Sequence, residues 1–197
     1  MNVSSRCSGL FVDINDTLYC SIFDRHQVVK RSLSNSVMTS NSVAAGTGTG
    51  GSNSSQLNGP RGIFVDVNLD LYVADCLNDR VQMFQSGKSN AVTAAGSKSR
   101  YPTIALDCPT GVILDTDKSL FIVDRDHHRI IGSSLNGFRC LIGCYGTGLP
   151  FHEMYNPFSF SFSFDRYGNI FVTDLKNSRI QKFEYIEESC GKFKMVE

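Results

Sequence analysis

The sequence of 197 residues lacks an excess of charge of either sign. Its 19 Lys and Arg residues balance 19 Asp and Glu residues, and charged residues make up only 19% of the chain. This balance disfavours a strongly basic nucleic-acid surface and an acidic disordered tail. The apolar fraction of 41% is ordinary for a globular protein, and the length suffices for one domain with a sizeable core.

Long apolar runs are also missing. No stretch approaches 18 consecutive apolar residues, so no membrane span is predicted. The first ten residues are polar and small and do not contain the apolar segment of a secretory signal. No segment keeps a sustained period of 3.6 residues, so we expect very little helix.

Closely spaced Cys-x-x-Cys pairs are absent, which removes the common zinc-ribbon and thioredoxin patterns. The seven cysteines are nevertheless many for a cytosolic chain, and Asn-x-Ser/Thr sequons begin at Asn2, Asn15 and Asn53. These features favour an extracellular location slightly over a cytoplasmic one. A chain taken from the middle of a longer secreted protein would reconcile them with the missing signal.

Two pairs of cysteines are candidates for disulfide bonds. Cys140 and Cys144 are close enough in sequence for a local disulfide across a turn, or they remain two half-buried thiols. Cys20 and Cys76 lie on or beside the second strands of neighbouring repeats, so a bond between them is conceivable.

The sequence does contain an internal repeat of about 50 residues. Each copy has an aspartate, separated from the next by 53, 49 and 50 residues: Asp13, Asp66, Asp115 and Asp165. Six residues later each copy has an aromatic residue: Tyr19, Tyr72, Phe121 and Phe171. Four copies with this constant internal spacing do not arise by chance.

Each copy is built from short runs rich in Val, Ile, Phe and Tyr, bounded by turn residues, which is typical of strands. In the second copy we predict four strands: Gly62–Asp66, Leu71–Ala74, Arg80–Gln85 and Ala91–Ala95. Four antiparallel strands in a repeated unit of this length predict one β-propeller blade per repeat. We therefore expect an all-β single domain over 1–197, with blades near 9–57, 58–107, 108–155 and 156–197.

Large apolar residues of these strands are predicted to form the core. They are Phe64, Val65, Tyr72, Val73, Ile113, Phe121, Ile122, Ile170, Phe171 and Ile180.

The segment from Gly59 to Phe84, GPRGIFVDVNLDLYVADCLNDRVQMF, resembles the NHL-repeat family. That family's consensus runs Pro-x-Gly-Ile-x-Val-Asp, then Asn-Leu-Tyr-Val-Ala-Asp, then Asn-His-Arg-Ile-Gln-x-Phe. The resemblance covers nearly the whole chain and is most specific in the second and fourth copies. It implies a propeller that usually closes with six blades. Four NHL-like repeats therefore predict an open arc of an incomplete six-bladed ring, whose bare end faces would support self-association.

Three copies share an aspartate followed five residues later by an arginine. The pairs are Asp75 with Arg80, Asp124 with Arg129, and Asp174 with Arg179. A charge pair that recurs in several blades is more typical of structure than of a ligand site. We interpret it as a repeated clamp, in which the aspartate accepts backbone N–H bonds and pairs with the arginine.

Metal and cofactor signals are weak. His127 and His128 are adjacent, and adjacent side chains of an extended segment point to opposite faces, so they rarely share one ion. The glycines at positions 46, 48 and 51 fit Gly-x-Gly-x-x-Gly, but a Ser- and Asn-rich loop follows them instead of a helix. We expect no metal site, no cofactor and no enzyme activity.

The loops at one end of the propeller are the predicted binding surface, since loops carry recognition. Besides Leu77 and Asp126, the candidates there are Arg25, His26, Asn78, Asp79, Arg125, His127, His128, Lys176 and Asn177. Their mixed charges suit a protein, peptide or glycan partner. One alternative is RNA binding, as in the NHL domains of tripartite-motif proteins. Another is a fragment of a lyase- or hydrolase-type propeller such as the peptidylglycine-amidating lyases, which use metal-binding histidines.

Overall fold

The computed structural model describes residues 5–34, 40–96, 99, 104–134, 137–144, 162–174, 178–186 and 192–196. These residues form four sheets, each of four antiparallel strands in sequence order. The sheets are arranged as the blades of a β-propeller, which confirms the predicted fold class. Helical structure among the described residues is confined to two 3-10 turns, Phe23–Arg25 and Cys76–Asn78. None of these described helices is long and apolar enough to cross a membrane.

The strands run from the innermost to the outermost in each blade. The first blade contains β1 (Gly9–Val12), β2 (Thr17–Ile22), β3 (Gln27–Ser32) and β4 (Ser42–Ala45). The second contains β5 (Pro60–Val65), β6 (Leu71–Asp75), β7 (Arg80–Phe84) and β8 (Ala91–Gly96). The third contains β9 (Pro109–Leu114), β10 (Leu120–Asp124), β11 (Arg129–Ser134) and β12 (Gly137–Ile142). The fourth contains β13 (Phe162–Phe164), β14 (Ile170–Asp174), β15 (Arg179–Ile186) and β16 (Lys192–Val196).

The aspartate that opens each repeat forms the turn between the first two strands. In the second blade, Oδ1 of Asp66 accepts the backbone N–H groups of Asn68 and Asp70, both at 2.9 Å. Asp13, Asp115 and Asp165 accept the two corresponding N–H groups in their own blades. A short side chain with an acceptor oxygen, here aspartate in every copy, can bond its own backbone two and four residues on. This turn explains the constant spacing of the repeat.

Glycines let the innermost strands approach one another. A Cβ atom on Gly9 would collide with the carbonyl oxygen of Arg61 in the next blade, and one on Gly62 would collide with that of Thr110. The innermost strands contact their neighbours in the order β1, β5, β9, β13. Small residues at this position therefore set the tight centre of the propeller.

The core among the described residues consists of three clusters between consecutive blades and a fourth, smaller one in which Cys20, Ile22 and Val29 of blade one are buried beside Cys7. We call the face of a blade that packs on the preceding blade its N-side face, and the face that packs on the following blade its C-side face. In the first cluster, Tyr19 and Val28 of the C-side face of blade one contact Val73 and Phe84 of the N-side face of blade two. The second and third clusters repeat this arrangement between blades two and three and between blades three and four.

The two end blades depart from this pattern. Ile180 is 70% exposed, whereas its repeat equivalents Val28, Val81 and Ile130 are fully buried. The prediction that Ile180 is a core residue is therefore wrong. It lies on the C-side face of blade four, where no following blade among the described residues covers it.

The N-side face of blade one shows the same departure. Leu10 is 63% exposed and Val12 is 47% exposed, although their equivalents Ile63 and Val65 in blade two are buried. Both residues belong to β1, the innermost strand of the first blade. Each end blade thus leaves apolar residues in contact with solvent, although on the N-side face of blade one Cys20, Ile22 and Val29 are buried beside Cys7.

Three disulfides connect six of the cysteines. Cys7 bonds Cys20 within blade one, and Cys140 bonds Cys144 at the end of β12. Cys76 bonds Cys108 and joins the turn of blade two to the entry of blade three, with 4.0 Å between the Cα atoms. A bond between Cys20 and Cys76 is therefore ruled out, because each has another partner. The seventh cysteine, Cys190, lies outside the described residues.

Candidate binding face

One end of the propeller carries the turns between the second and third strands of each blade. We call it the turn face, and the opposite end, with the Asp66-type turns, the anchor face. The loops entering the innermost strands reach the turn face too, because the N–H of Leu77 donates to the carbonyl of Asn58 at 3.1 Å. In the next blade the N–H of Asp126 donates to the carbonyl of Asp107 at 3.2 Å. The turn face therefore combines two loops from neighbouring repeats.

The Asp75–Arg80 pair lies beneath this face and is almost completely buried. Arg80 Nε donates to Asp75 Oδ2 at 2.7 Å, and the backbone N–H of Asn58 donates to Oδ1 at 2.6 Å. The remaining Arg80 nitrogens donate to the carbonyls of Ser52, Asn53 and Gln56 at 2.7, 3.2 and 2.9 Å. Burial raises the pKa of Asp75, and the hydrogen bonds from Asn58, Asn78 and Arg80 oppose that rise. The pair binds the interblade loop to the blade.

The corresponding pairs in blades three and four have the same geometry but more solvent around the arginine. Arg129 Nε donates to Asp124 at 2.8 Å, and Arg179 Nε donates to Asp174 at 3.1 Å. All three carboxylates are fully buried, whereas the exposed fraction of the arginine rises from 4% at Arg80 to 19% and then 38%. The ion pair is therefore most enclosed in blade two and least enclosed in blade four.

Two predicted binding residues point toward these carboxylates. Asn78 Nδ2 donates to Asp75 Oδ2 at 2.8 Å, and His127 Nδ1 lies 2.8 Å from Asp124 Oδ2. Both occupy the same position of the repeat. Their hydrogen-bonding capacity is thus directed at the Asp–Arg pair, and only part of each side chain is available to a ligand.

Two further candidates connect consecutive blades. His26 and Asp79 end their turns in the left-handed region, with φ of 50° and 51°. The N–H of Gly59 donates to His26 Nδ1 at 3.1 Å, and the N–H of Cys108 donates to Asp79 Oδ1 at 2.9 Å. His128 has the same backbone conformation, with φ of 54°. Recurrence of a polar residue at this position was the sequence signal for a structural role.

The remaining candidates lie at the surface of the turn face. Arg25 is exposed and its Nε donates to Ser5 Oγ at 3.2 Å. Arg125 forms two hydrogen bonds with Asp126, at 2.7 and 2.5 Å. Leu77 is 52% exposed. Lys176 and Asn177 lie outside the described residues.

Sequence reasoning missed Arg61 and Phe23. The Arg61 guanidinium stacks on the Phe23 ring, with its carbon 4.7 Å from the ring centroid. A Cβ atom built on Gly59 would lie 2.6 Å from Phe23 and 3.0 Å from Leu77, so these two apolar side chains meet over the glycine. We call Phe23, Gly59, Arg61 and Leu77 the Leu77 patch. In the sequence, Arg61 is the variable residue of the Pro-x-Gly motif, and this variability was the feature that could have pointed to it.

Electrostatics connect this patch to the neighbouring blade. Burial lowers the pKa of Arg61, and the nearby charge of Arg125 lowers it further, while Asp126 acts in the opposite direction. The guanidinium of Arg61 thus belongs to a group of charges that includes the Arg125–Asp126 pair. The patch thus combines an arginine held against an aromatic ring with an exposed leucine.

The innermost strands of the four blades line an open central cavity of about 370 Å³. Its wall is mostly apolar side chains and glycine backbone, including Leu10, Phe11, Ile63, Phe64 and Phe164, with Ser163 as a polar member. Within the described parts of the chain, no group of three or more His, Cys, Asp or Glu side chains is placed to hold a metal ion.

Comparison with known proteins found similarity to solved structures only. No protein-family model matches the sequence, and no curated protein matches it. Virginiamycin B lyase from Staphylococcus aureus, in an inactive form with quinupristin, superposes with a TM-score of 0.63 at 10% identity. A protein assigned as a gluconolactonase gives 0.67 at 12% identity, and the nidogen/laminin complex gives 0.61 at 20% identity.

The fold is a β-propeller. These likenesses cover 100%, 98% and 86% of the chain, but the chain covers only 57%, 63% and 55% of the respective neighbours. The chain thus spans a little over half the length of these propellers. At such identities the likeness shows the fold alone, and the activities named for the neighbours belong to those proteins.

Proposed function

We propose that this chain is an NHL-type, non-enzymatic binding module that recognises a protein, peptide or glycan through the turn face. The Leu77 patch carries the proposal. Its leucine is 52% exposed, and the stacked Phe23–Arg61 pair beside it supplies a rigid aromatic and a cation. Exposed apolar and arginine side chains held in place by packing are typical anchors of recognition surfaces.

The charges around the patch favour a protein or peptide partner. Arg25 and the Arg125–Asp126 pair present both signs of charge on one face. A phosphate backbone would instead require clustered positive charge, and the chain as a whole is neutral. The neighbour solved as a nidogen/laminin complex is a propeller with a protein partner, which supports the same use of the fold.

Two other observations support the proposal. The central cavity, where propeller enzymes would place catalytic groups, is walled by apolar side chains such as Leu10, Ile63 and Phe164. The disulfides Cys7–Cys20, Cys76–Cys108 and Cys140–Cys144 suit an oxidising compartment. We accordingly propose that the module works outside the cell.

The test is selection of a displayed random-peptide library on the immobilised chain, followed by binding measurements on two variants. Leu77→Asp places a charge in the patch. Val67→Asp is the matched control, because Val67 is an apolar residue of 69% exposure on the anchor face. We expect peptides whose binding is weakened about tenfold or more by Leu77→Asp and is unchanged by Val67→Asp.

Glycan arrays and structured RNA are screened with the same three proteins. Glycan binding that depends on Leu77 would assign the glycan partner. RNA binding that is lost when Arg61 and Arg125 are replaced by alanine would replace the proposal with the RNA-binding alternative. Peptide binding that is lost equally with Val67→Asp would show that the turn face is not the site.

A further inference from the structure

A cleft of about 350 Å³ lies at the interior junction between blades one and two. Its apolar wall includes Tyr19 and Val43 of blade one and Leu69 and Phe84 of blade two. Lys30 of β3 lines the same space, and we call it the Lys30 cleft. Cavities of about 300–1,000 Å³ that combine an apolar wall with a few polar groups are typical of small-molecule sites.

The charge of the cleft is positive. Lys30 and Lys88 of the turn between β7 and β8 line it, and none of the described residues that line it is acidic. The Nζ atom of Lys30 lies 5.9 Å from the centroid of the Tyr19 ring. Neither lysine forms an ion pair with another described residue. Two carboxylates bond the walls from outside the cleft: Asp13 accepts the Tyr19 hydroxyl at 3.2 Å, and Asp70 accepts a backbone N–H of the β7–β8 turn at 2.9 Å.

The lysine on β3 is a departure from the repeat. Lys30 occupies the position of Met83 in blade two and Gly132 in blade three. Lys182 of blade four has the same position, but its Nζ lies 3.1 Å from the carboxylate of Glu184. A lysine here without an ionic partner among the described residues is thus particular to blade one.

Leu69 is a second departure at the same cleft. Its φ of 65° lies in the left-handed region, which a bulky side chain rarely adopts. The equivalent residues Asp16, Lys118 and Gly168 share this conformation but are polar or glycine. At the next junction, Lys118 Nζ lies 4.0 Å from a carboxylate oxygen of Asp66. A leucine at this position costs backbone strain and adds apolar surface beside the two lysines.

The corresponding cleft between blades three and four has a different charge. It measures about 630 Å³ and contains Phe121 and Gly168, the equivalents of Tyr19 and Leu69. Side chains of both signs line it: Asp115, Asp117, Arg139, Asp165 and Arg166. Positive charge without negative charge is therefore a property of the Lys30 cleft and not of blade junctions in general.

We propose that the Lys30 cleft binds a small organic anion, in which an aromatic or aliphatic body carries a carboxylate, sulfate or phosphate group. The acid group pairs with Lys30 and Lys88, and the body packs against Leu69 and Val43. Val43 is 57% exposed without such a ligand. The cleft shares no residue with the Leu77 patch, so this site is independent of recognition at the turn face.

Isothermal titration calorimetry of the purified, disulfide-bonded chain, in a buffer free of sulfate and phosphate, tests the proposal with three probes. Naphthalenesulfonate carries both parts of the proposed ligand and should bind saturably. Inorganic sulfate lacks the apolar body and naphthol lacks the charge, so each should bind at least about tenfold more weakly. Naphthoate and naphthyl phosphate then rank the acid groups.

Variants assign the binding to the cleft. Lys30→Gln combined with Lys88→Gln should weaken naphthalenesulfonate binding about tenfold or more. Lys118→Gln combined with Lys182→Gln is the matched control, because it removes the same charge from other blades, and it should leave binding unchanged. Leu69→Asn should also weaken binding while the turn is kept, since asparagine adopts the left-handed conformation readily. Circular dichroism checks that each variant is folded.

Amide chemical shifts measured by heteronuclear NMR locate the probe. Thr47, Gly87 and Ser89 line the cleft, and their amides should shift when naphthalenesulfonate is added, whereas that of Leu77 should not. Absence of saturable binding, a reference probe that binds as tightly as naphthalenesulfonate, or equal losses in the two double-lysine variants would overturn the proposal. Shifts confined to other parts of the chain would overturn it as well.

Discussion

The interior faces of the blades and the faces at the two ends are built from equivalent residues but differ in environment. Ile130 in blade three is fully buried between blades, and Ile180 at the same repeat position in blade four is 70% exposed. The comparison shows that the repeat pattern encodes an apolar surface that can be buried. Whether it is buried depends on a neighbouring blade.

The largest effect should come from placing a charge at these two equivalent positions. Ile130→Asp buries a carboxylate without a partner and should cost more than about 4 kcal/mol, enough to prevent folding. Ile180→Asp should change the free energy of unfolding by less than about 0.5 kcal/mol, since the side chain is in solvent. Urea denaturation followed by circular dichroism measures both. Equal losses would mean that the C-side face of blade four is covered.

The two disulfides should give the next largest difference in the free energy of unfolding. Cys76–Cys108 closes a separation of 32 residues across an interior blade junction, and Cys140–Cys144 closes one of only 4. From loop entropy, replacing the first pair by serine should cost about 3–4 kcal/mol and replacing the second about 2 kcal/mol. Thermal unfolding of the two double-serine variants tests the order. A greater loss from the short loop would contradict it.

The loss of stability on removing the aspartate of an Asp–Arg pair should be smaller where the arginine is more exposed. Asp75→Ala leaves Arg80, which is 4% exposed, without its carboxylate, and should cost about 3 kcal/mol. Asp174→Ala leaves Arg179, which is 38% exposed and can be hydrated, and should cost about 1 kcal/mol. Chemical denaturation of both variants provides the comparison, with the exposed Asp117→Ala as a control on the anchor face. Identical losses would show that exposure of the arginine does not govern the cost.

The smallest effect appears only at alkaline pH and concerns an interior face. The Tyr19 hydroxyl donates to Asp13 Oδ2 at 3.2 Å, and burial, with the Asp13 charge, raises the pKa of Tyr19 from 10.0 to about 12. Its contribution to stability is therefore complete below pH 10 and is lost as the pH rises through about 12. Tyrosinate absorbance should show this late step, and Tyr19→Phe should remove it. An unchanged titration curve in the variant would contradict the assignment.

The architecture could be predicted from the sequence because a local rule repeats. The turn at Asp66 needs a short side chain that accepts two backbone N–H bonds, and aspartate fills this position in every copy, so its spacing reveals every blade. The number of repeats predicted bare end faces, but the local signal of the fourth copy, which equals that of the buried copies, wrongly assigned Ile180 to the core. Burial here is set by a neighbour and not by the local sequence.

The candidate site was predicted less completely than the fold. The sequence predicted that these turns and the loops entering the innermost strands share one end, as the Leu77–Asn58 bond shows, but His26 and Asp79 hydrogen-bond the next blade. Their left-handed conformation and interblade contacts depend on tertiary structure. The stacking of Arg61 on Phe23 joins two repeats, and no spacing within one repeat indicates it.

The most direct test of the account is hydroxyl-radical footprinting of the wild-type chain, read by mass spectrometry. Leu10 and Ile180 should be oxidised as readily as the exposed control Val67, while Ile63 and Ile130, the repeat equivalents of Leu10 and Ile180, should be protected. Protection of Ile180, or oxidation of Ile130 at the same rate as Ile180, would contradict the account.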